Sequence, residues 1–205
     1  HSTSSAASDV YKRQILCPDK ISTEEWLEAH KTAHEIGLRS NVTMMFGSVE
    51  EPIHWARHLI RTRELQRETG GFTEFVGLPF VHMASPIYLR KGARRGPTFR
   101  ENLLVHAIAR IVYHGYIDNI QASWVKIGLD GMKQMLQAGV NDVGGTLNGE
   151  NISRAAGAKH GQMLGKSQFE ELCQPLGREL IQRTTLYKTY RGPEGQRKHI
   201  PVAAE

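Results

Sequence analysis

From residue 15 onward, apolar residues recur in two alternating patterns. Short continuous runs are closed by glycine or a polar residue, and longer stretches return an apolar residue at helical spacing. The first pattern is that of a buried strand and the second that of an amphipathic helix. Ser22 or Thr23, followed by Glu24 and Glu25, opens the first helical stretch, with the acids favourably near the positive end of the helix dipole. Trp26, Ala29, Ala33 and Ile36 or Gly37 share its apolar side and predict a helix over residues 23–38. NVTMMFG predicts a strand over 41–47, and Pro52 starts a helix over 52–69 that Gly70-Gly71 stops. FTEFVGLPFVH predicts a strand over 72–82; a loop and a helix over 98–113 follow. NIQASWVK is expected as a third strand over 119–126, with a helix over 129–138 after it. NDVGGTL is expected as a fourth strand over 141–147, with helical segments near 152–156 and 167–176.

Strands alternating with helices in this way predict parallel βα units, either half of a barrel or a small doubly wound sheet. No GxGxxG follows the first strand, so the usual mark of a dinucleotide fold is missing. Polar or unusual residues gather where the strands stop: Gly47 and Glu50, Pro79 and His82, Ser123 and Lys126, Thr146 and Glu150. In a βα barrel those carboxyl ends converge on one mouth, where the chemistry sits.

Composition narrows the function classes. The 205 residues suffice for one domain of ordinary size, and 40% hydrophobic with 23% charged residues suits a globular protein. No apolar run is long enough to span a bilayer, and the two cysteines, Cys17 and Cys173, suggest no disulfide framework. A reducing, cytoplasmic setting with no membrane partner is expected. The net charge of +5 is spread along the chain. Its densest cluster, LRKGARRGPTFR, reads as a loop without the aromatic residues of a single-strand binder, so nucleic acid is not expected as a partner.

Candidate chemistry is sparse. His30 with His34, and His54 with His58, have helical i, i+4 spacing, but neither pair has the further ligands that zinc needs. Both are expected as surface histidines on outer helices, and no metal-ligand set is expected. Asn141-Asp142 before Gly144-Gly145 is either turn chemistry or a carboxylate on a buried strand, where an unpaired charge is costly. Trp124 reads as core or site and Lys126 as a strand cap or site. Met44 and Met45 alone read as core filler.

Read with Gly47 and Glu50, however, TMMFGSVE resembles the fifth-strand motif of radical S-adenosylmethionine enzymes, where an apolar residue and a Gly-x-x-Glu border the adenine. ILCPDKIST, RELQRETGGFTEFVGLPFVH, RRGPTFRENLLVHAIARI, NIQASWVK, AGVNDVGGTL and QRTTLY extend the likeness over residues 15–187. Together they resemble the second catalytic unit of the FO synthase family.

That resemblance implies the second half of a radical βα TIM-type barrel over residues 15–189, with residues 190–205 as a polar tail. It implies a transferase joining the hydroxybenzyl part of L-tyrosine to 5-amino-6-(D-ribitylamino)uracil on the route to the deazaflavin coenzyme F-420. S-adenosylmethionine and a 4Fe-4S cluster are the implied cofactors, and the first FO synthase unit, separate or fused, is the implied partner. Met45, Gly47, Glu50, Leu78 and Pro79 fall on the cofactor side. His82, Gln121, Ser123, Trp124, Lys126, Asn141, Asp142, Thr146 and Glu150 fall on segments that would hold the substrates. Asp142 would pair the tyrosine ammonium and Lys126 its carboxylate, with Arg183 a lesser candidate. Asn148-Gly149 replaces the bulkier and acidic residues usual in the family, which bears on Glu150. The family's CxxxCxxC cluster motif is absent from these residues, so the chain is expected to be inactive alone. Two alternatives share the pattern: a menaquinone-pathway relative (aminofutalosine synthase or dehypoxanthinyl futalosine cyclase), and a non-enzymatic phosphate- or nucleic-acid-binding half barrel. Residues 4–14, SSAASDVYKRQ, back-translate to a transposase sequencing adaptor in frame, so residues 1–14 are expected to be an artefact preceding the biological sequence.

Overall fold

The computed structural model describes residues 19, 21–145, 155 and 164–188. Helix α1 (Thr23–Glu35) precedes strand β1 (Ser40–Phe46), α2 (Pro52–Thr69) and β2 (Phe72–Pro79). A short α3 (Pro86–Leu89), α4 (Phe99–Val112), β3 (Ile120–Ala122), a short α5 (Trp124–Ile127), α6 (Leu129–Gln137) and α7 (Lys166–Cys173) follow. The expected punctuation is present. Ser22 and Glu25 form a reciprocal capping box at α1, as do Thr98 and Glu101 at α4. Pro52 opens α2 and Gly70 closes it in the left-handed region at φ 63°.

The strands form one parallel sheet in the order β1-β2-β3, the arrangement expected of βα units. Met45 lies opposite Leu78, Thr43 opposite Val76, and Val76 opposite Gln121. Successive residues face opposite sides. Val42, Met44, Phe46, Phe75, Ile120 and Ala122 are fully buried beneath the helices. Phe46 meets Trp55 edge-on, Phe75 tilts against Tyr113, and the Tyr113 hydroxyl bonds Thr62 at 2.6 Å. Gly77 must be glycine here, because a Cβ would fall 2.5 Å from Nε2 of the buried His106. Thr43, Met45, Leu78 and Gln121 are half-buried on the opposite face.

Three predicted strands are shorter than their apolar runs. β2 stops at Pro79 rather than residue 82, after which the Phe80 N–H makes a last bond to the Phe46 carbonyl at 2.8 Å. β3 stops at Ala122 because Trp124 turns into the core against Phe169 and begins α5; its would-be ladder partner is Pro79, which has no N–H to donate. The predicted fourth strand is reduced, among the described residues, to a parallel bridge between Gln121 and Asp142.

The histidine expectation is also corrected. His34, His54 and His58 are buried, and the inward stripe of α1 is Trp26, His30 and His34 rather than Ala29, Ala33 and Ile36. His34 packs against Gly71 and Phe72 and bonds Thr69 Oγ1 and Ser40 Oγ at 2.7 Å each. His30 Nδ1 shares the same Ser40 hydroxyl at 3.0 Å. Burial, then the neighbouring His34, lowers the His30 pKa to about 4; burial and Arg39 lower that of His34. The folded state therefore binds fewer protons at these sites than the unfolded chain, and acid favours unfolding. Stability is expected to fall by about 1–2 kcal/mol as pH drops from about 6.5 to 4, allowing for partial exposure. Urea titrations of wild type and His30→Gln across that range would show it; parallel curves would refute it.

Candidate active site at the strand ends

The loop after β1 closes on its own carboxylate. Gly47 leaves the strand at φ 93°, and a Cβ there would lie 2.2 Å from Pro97 Cδ, so both conformation and space demand glycine. Gly47→Ala is expected to cost about 2–3 kcal/mol, read by chemical denaturation; a loss below the measurement error would mean the Pro97 contact is not held.

The Glu50 side chain turns back under this bend. Its Oε1 accepts from the Gly47 and Ser48 N–H groups and from Trp55 Nε1 at 3.0 Å. Its Oε2 accepts from the Ser48 hydroxyl at 2.7 Å and the Val49 N–H at 3.0 Å. Burial opposes the charge, but these bonds, led by Ser48, outweigh it and hold the carboxyl below the usual glutamate range. Both oxygens are engaged within the loop, so Glu50 shapes the bend, and backbone is what the bend can present to a ligand. Beside it, Met45 and Leu78 form a half-buried apolar pair at the strand ends.

His82 lies beyond β2, half-buried, edge-on to Tyr88 at 4.7 Å. Ser123 precedes α5 at its N-cap position without a side-chain capping bond, and α5 carries half-buried Lys126. Trp124 is a core residue, 2% exposed, with its indole N–H on the Gly145 carbonyl at 2.9 Å. Asn141 lies at the other end of the sheet. Its Oδ1 accepts from the Ile120 N–H and Arg110 Nη2, and its Nδ2 donates to the Asp118 carbonyl. Thr146 and Glu150 lie outside the described residues.

Below the strand ends, on the same face as Met45 and Leu78, two residues absent from the sequence-based set complete a buried polar cluster. Tyr187 donates its hydroxyl between Glu74 Oε2 and Asp142 Oδ2, at 2.5 Å from each. Arg183 Nε donates to Asp142 Oδ2 at 2.6 Å, its Nη2 bridges toward Glu74 at 3.4 Å, and its guanidinium stacks 3.9 Å over the Tyr187 ring. Gln121 Nε2 reaches Glu74 at 2.7 Å, and the Gly144 N–H reaches Asp142 Oδ1 at 2.7 Å. Burial, then the adjacent Asp142 and Glu74, push the Tyr187 phenol far up, so it acts as a neutral donor. Asp142 is thus engaged at both oxygens, with Arg183 where an amino-acid ammonium had been expected. The signal that could have revealed Glu74 is a carboxylate within the apolar run FTEFVGLP, since a buried charge requires a partner. A separate cavity of about 510 Å³ lies at the amino ends of the strands, lined by Thr73, Asn119 and Tyr187 among others. It is the wrong end of the sheet for βα chemistry.

A family model described as the CofH/MqnC C-terminal region matches residues 69–192. The chain belongs to that family. It is 52% identical over 175 residues to FO synthase of Nocardia farcinica and 51% identical to FO synthase of Mycobacterium tuberculosis, covering 85% of this chain and 20% of each relative. The 5-amino-6-(D-ribitylamino)uracil–L-tyrosine 4-hydroxyphenyl transferase of Methanopyrus kandleri is 48% identical over 176 residues, 86% of this chain and 48% of that protein. The chain therefore spans about a fifth to a half of the length of these curated relatives. Among the described residues no helix is long and apolar enough to cross a membrane.

Proposed function

We propose that this chain forms part of a radical S-adenosylmethionine transferase that joins the hydroxybenzyl part of L-tyrosine to 5-amino-6-(D-ribitylamino)uracil in FO formation. The observation that carries the reading is near-50% identity, over most of this chain, to proteins named for that reaction. The parallel sheet is compatible with part of a βα barrel, in which the strand ends line the mouth. The same relatives favour this reading over a menaquinone-pathway enzyme or a polyanion-binding module.

The half-buried Met45–Leu78 pair and the bend at Gly47 suit the flat, apolar adenine of S-adenosylmethionine, with Pro79 closing the strand beside them. Held there, that cofactor would supply the hydrogen-abstracting chemistry of the reaction. The iron–sulfur cluster itself does not fit the described residues: Cys173 is buried in α7, 1% exposed, with its thiol pushed up by burial. Its ligands, and the first FO synthase unit as partner, would lie outside these residues. His82, Gln121, Ser123 and Lys126, with Thr146 and Glu150, would meet the substrates' hydroxyl, amine and carboxylate groups. Asp142 would fix the wall of that site through its bonds to Arg183 and Tyr187, while Asn141 and Trp124 would hold strand ends in place. In an NMR titration, S-adenosylmethionine is expected to shift the Met45 methyl and the Gly47 amide, and tyrosine the Gln121 side-chain amide. Shifts confined to the helical face would overturn the reading.

A further inference from the structure

The bend at Gly47 is held from outside by two residues of the loop after β2, Pro97 against Gly47 and Arg94 against Ser48. The Arg94 N–H donates to the Ser48 carbonyl at 3.0 Å. Its guanidinium lies 5.8 Å from the centre of the Trp55 ring, and Trp55 in turn donates its indole N–H to Glu50 Oε1 at 3.0 Å. The guanidinium is itself fixed by Glu101, both of whose carboxylate oxygens accept from Nη1, at 2.8 and 3.0 Å. Glu101 is anchored by the capping box at Thr98, and Pro97, just before Thr98, closes against Gly47. Arg94 therefore touches the Gly47–Glu50 bend twice, through its main chain at Ser48 and through the Trp55 ring above the Glu50 carboxylate.

We propose that Arg94 is a positioning residue for S-adenosylmethionine: it fixes the Gly47–Glu50 bend, through Trp55, in the form that receives the adenine. The inference rests on the cofactor reading of that bend given above. Arg94 acts on the bend's geometry without touching the cofactor, and the Glu101 ion pair is its anchor. A cation over an indole and a charge-assisted hydrogen bond each contribute modestly at a half-exposed site, so loss of the guanidinium loosens the bend without unfolding the chain.

The test compares wild type, Arg94→Ala, Arg94→Lys and Glu101→Gln in the full chain. Two readouts are used: hydrogen exchange of the Ser48 and Val49 amides and the Trp55 indole, and affinity for S-adenosylmethionine. Arg94→Ala is expected to speed exchange at those three groups about five- to tenfold and to weaken the cofactor by a similar factor, with the unfolding midpoint nearly unchanged. Glu101→Gln should show a smaller effect of the same kind, and Arg94→Lys partial rescue. Unaltered exchange in Arg94→Ala would overturn the role of Arg94 and leave the cofactor reading standing. Faster exchange with unaltered affinity would also overturn it. Faster exchange in a chain whose wild type binds no S-adenosylmethionine would instead remove the cofactor reading, and the positioning role with it.

Discussion

Arg183→Ala is expected to destabilise the chain by about 3–5 kcal/mol, the usual cost of removing one partner from a buried ion pair. Arg183 is the cation bonded to both Glu74 and Asp142, whose side chains are 10% and 8% exposed. Without it, no cation faces the two carboxylates: they keep the Gln121 amide, the Gly144 N–H and a phenol hydroxyl that has a single proton to give. Tyr187→Phe removes one neutral donor and should cost about 1–2 kcal/mol. Replacing Glu74, Asp142 and Arg183 together by Gln, Asn and Met should cost less than Arg183→Ala alone, because no charge is stranded. Urea denaturation at neutral pH measures all three. An Arg183→Ala loss under about 1 kcal/mol would mean that the segment carrying Arg183 and Tyr187 does not close over the sheet.

Glu50→Gln should cost about 2–3 kcal/mol, as much as Gly47→Ala, because an amide puts N–H groups against the donors that now converge on a carboxylate. The effect should also depend on pH in a defined direction. The folded-state pKa of Glu50 is depressed, so its contribution is present above the unfolded value of about 4.3 and is lost as pH falls through the folded value. The gap between wild type and Glu50→Gln should therefore narrow on acidification. Because His30 and His34 are present in both proteins, their acid response cancels in that difference. A gap that stays constant from pH 7 to well below 4 would show that the carboxylate is not stabilised as described.

Sequence periodicity was sufficient for the alternation of helices and strands, since caps such as Ser22, Pro52 and Thr98 act locally and are visible locally. It was insufficient where tertiary contacts decide. Trp124 ends β3 early because a core position against Phe169 outcompetes a ladder that would pair it with Pro79. His30 and His34 were read as exposed because a polar residue at helical spacing resembles a solvated face; their partners, Ser40 and Thr69, are brought by other elements. The bend at Gly47 and Glu50 was legible as a short motif, but its saturated hydrogen bonding was not. Glu74 and Tyr187 are 113 residues apart, in the separate segments FTEFVGLP and QRTTLY, neither of which shows that the two meet; only folding puts their oxygens together.

The most direct test of the central claim is a chimera in which residues 15–189 replace the matching segment of the Nocardia farcinica FO synthase, which supplies the remaining parts of the enzyme. Conversion of L-tyrosine and 5-amino-6-(D-ribitylamino)uracil to coupled product is expected, and should be lost again when Gly47→Ala is introduced. A folded chimera that carries its cluster and binds S-adenosylmethionine, yet forms no coupled product where the parent does, would contradict it.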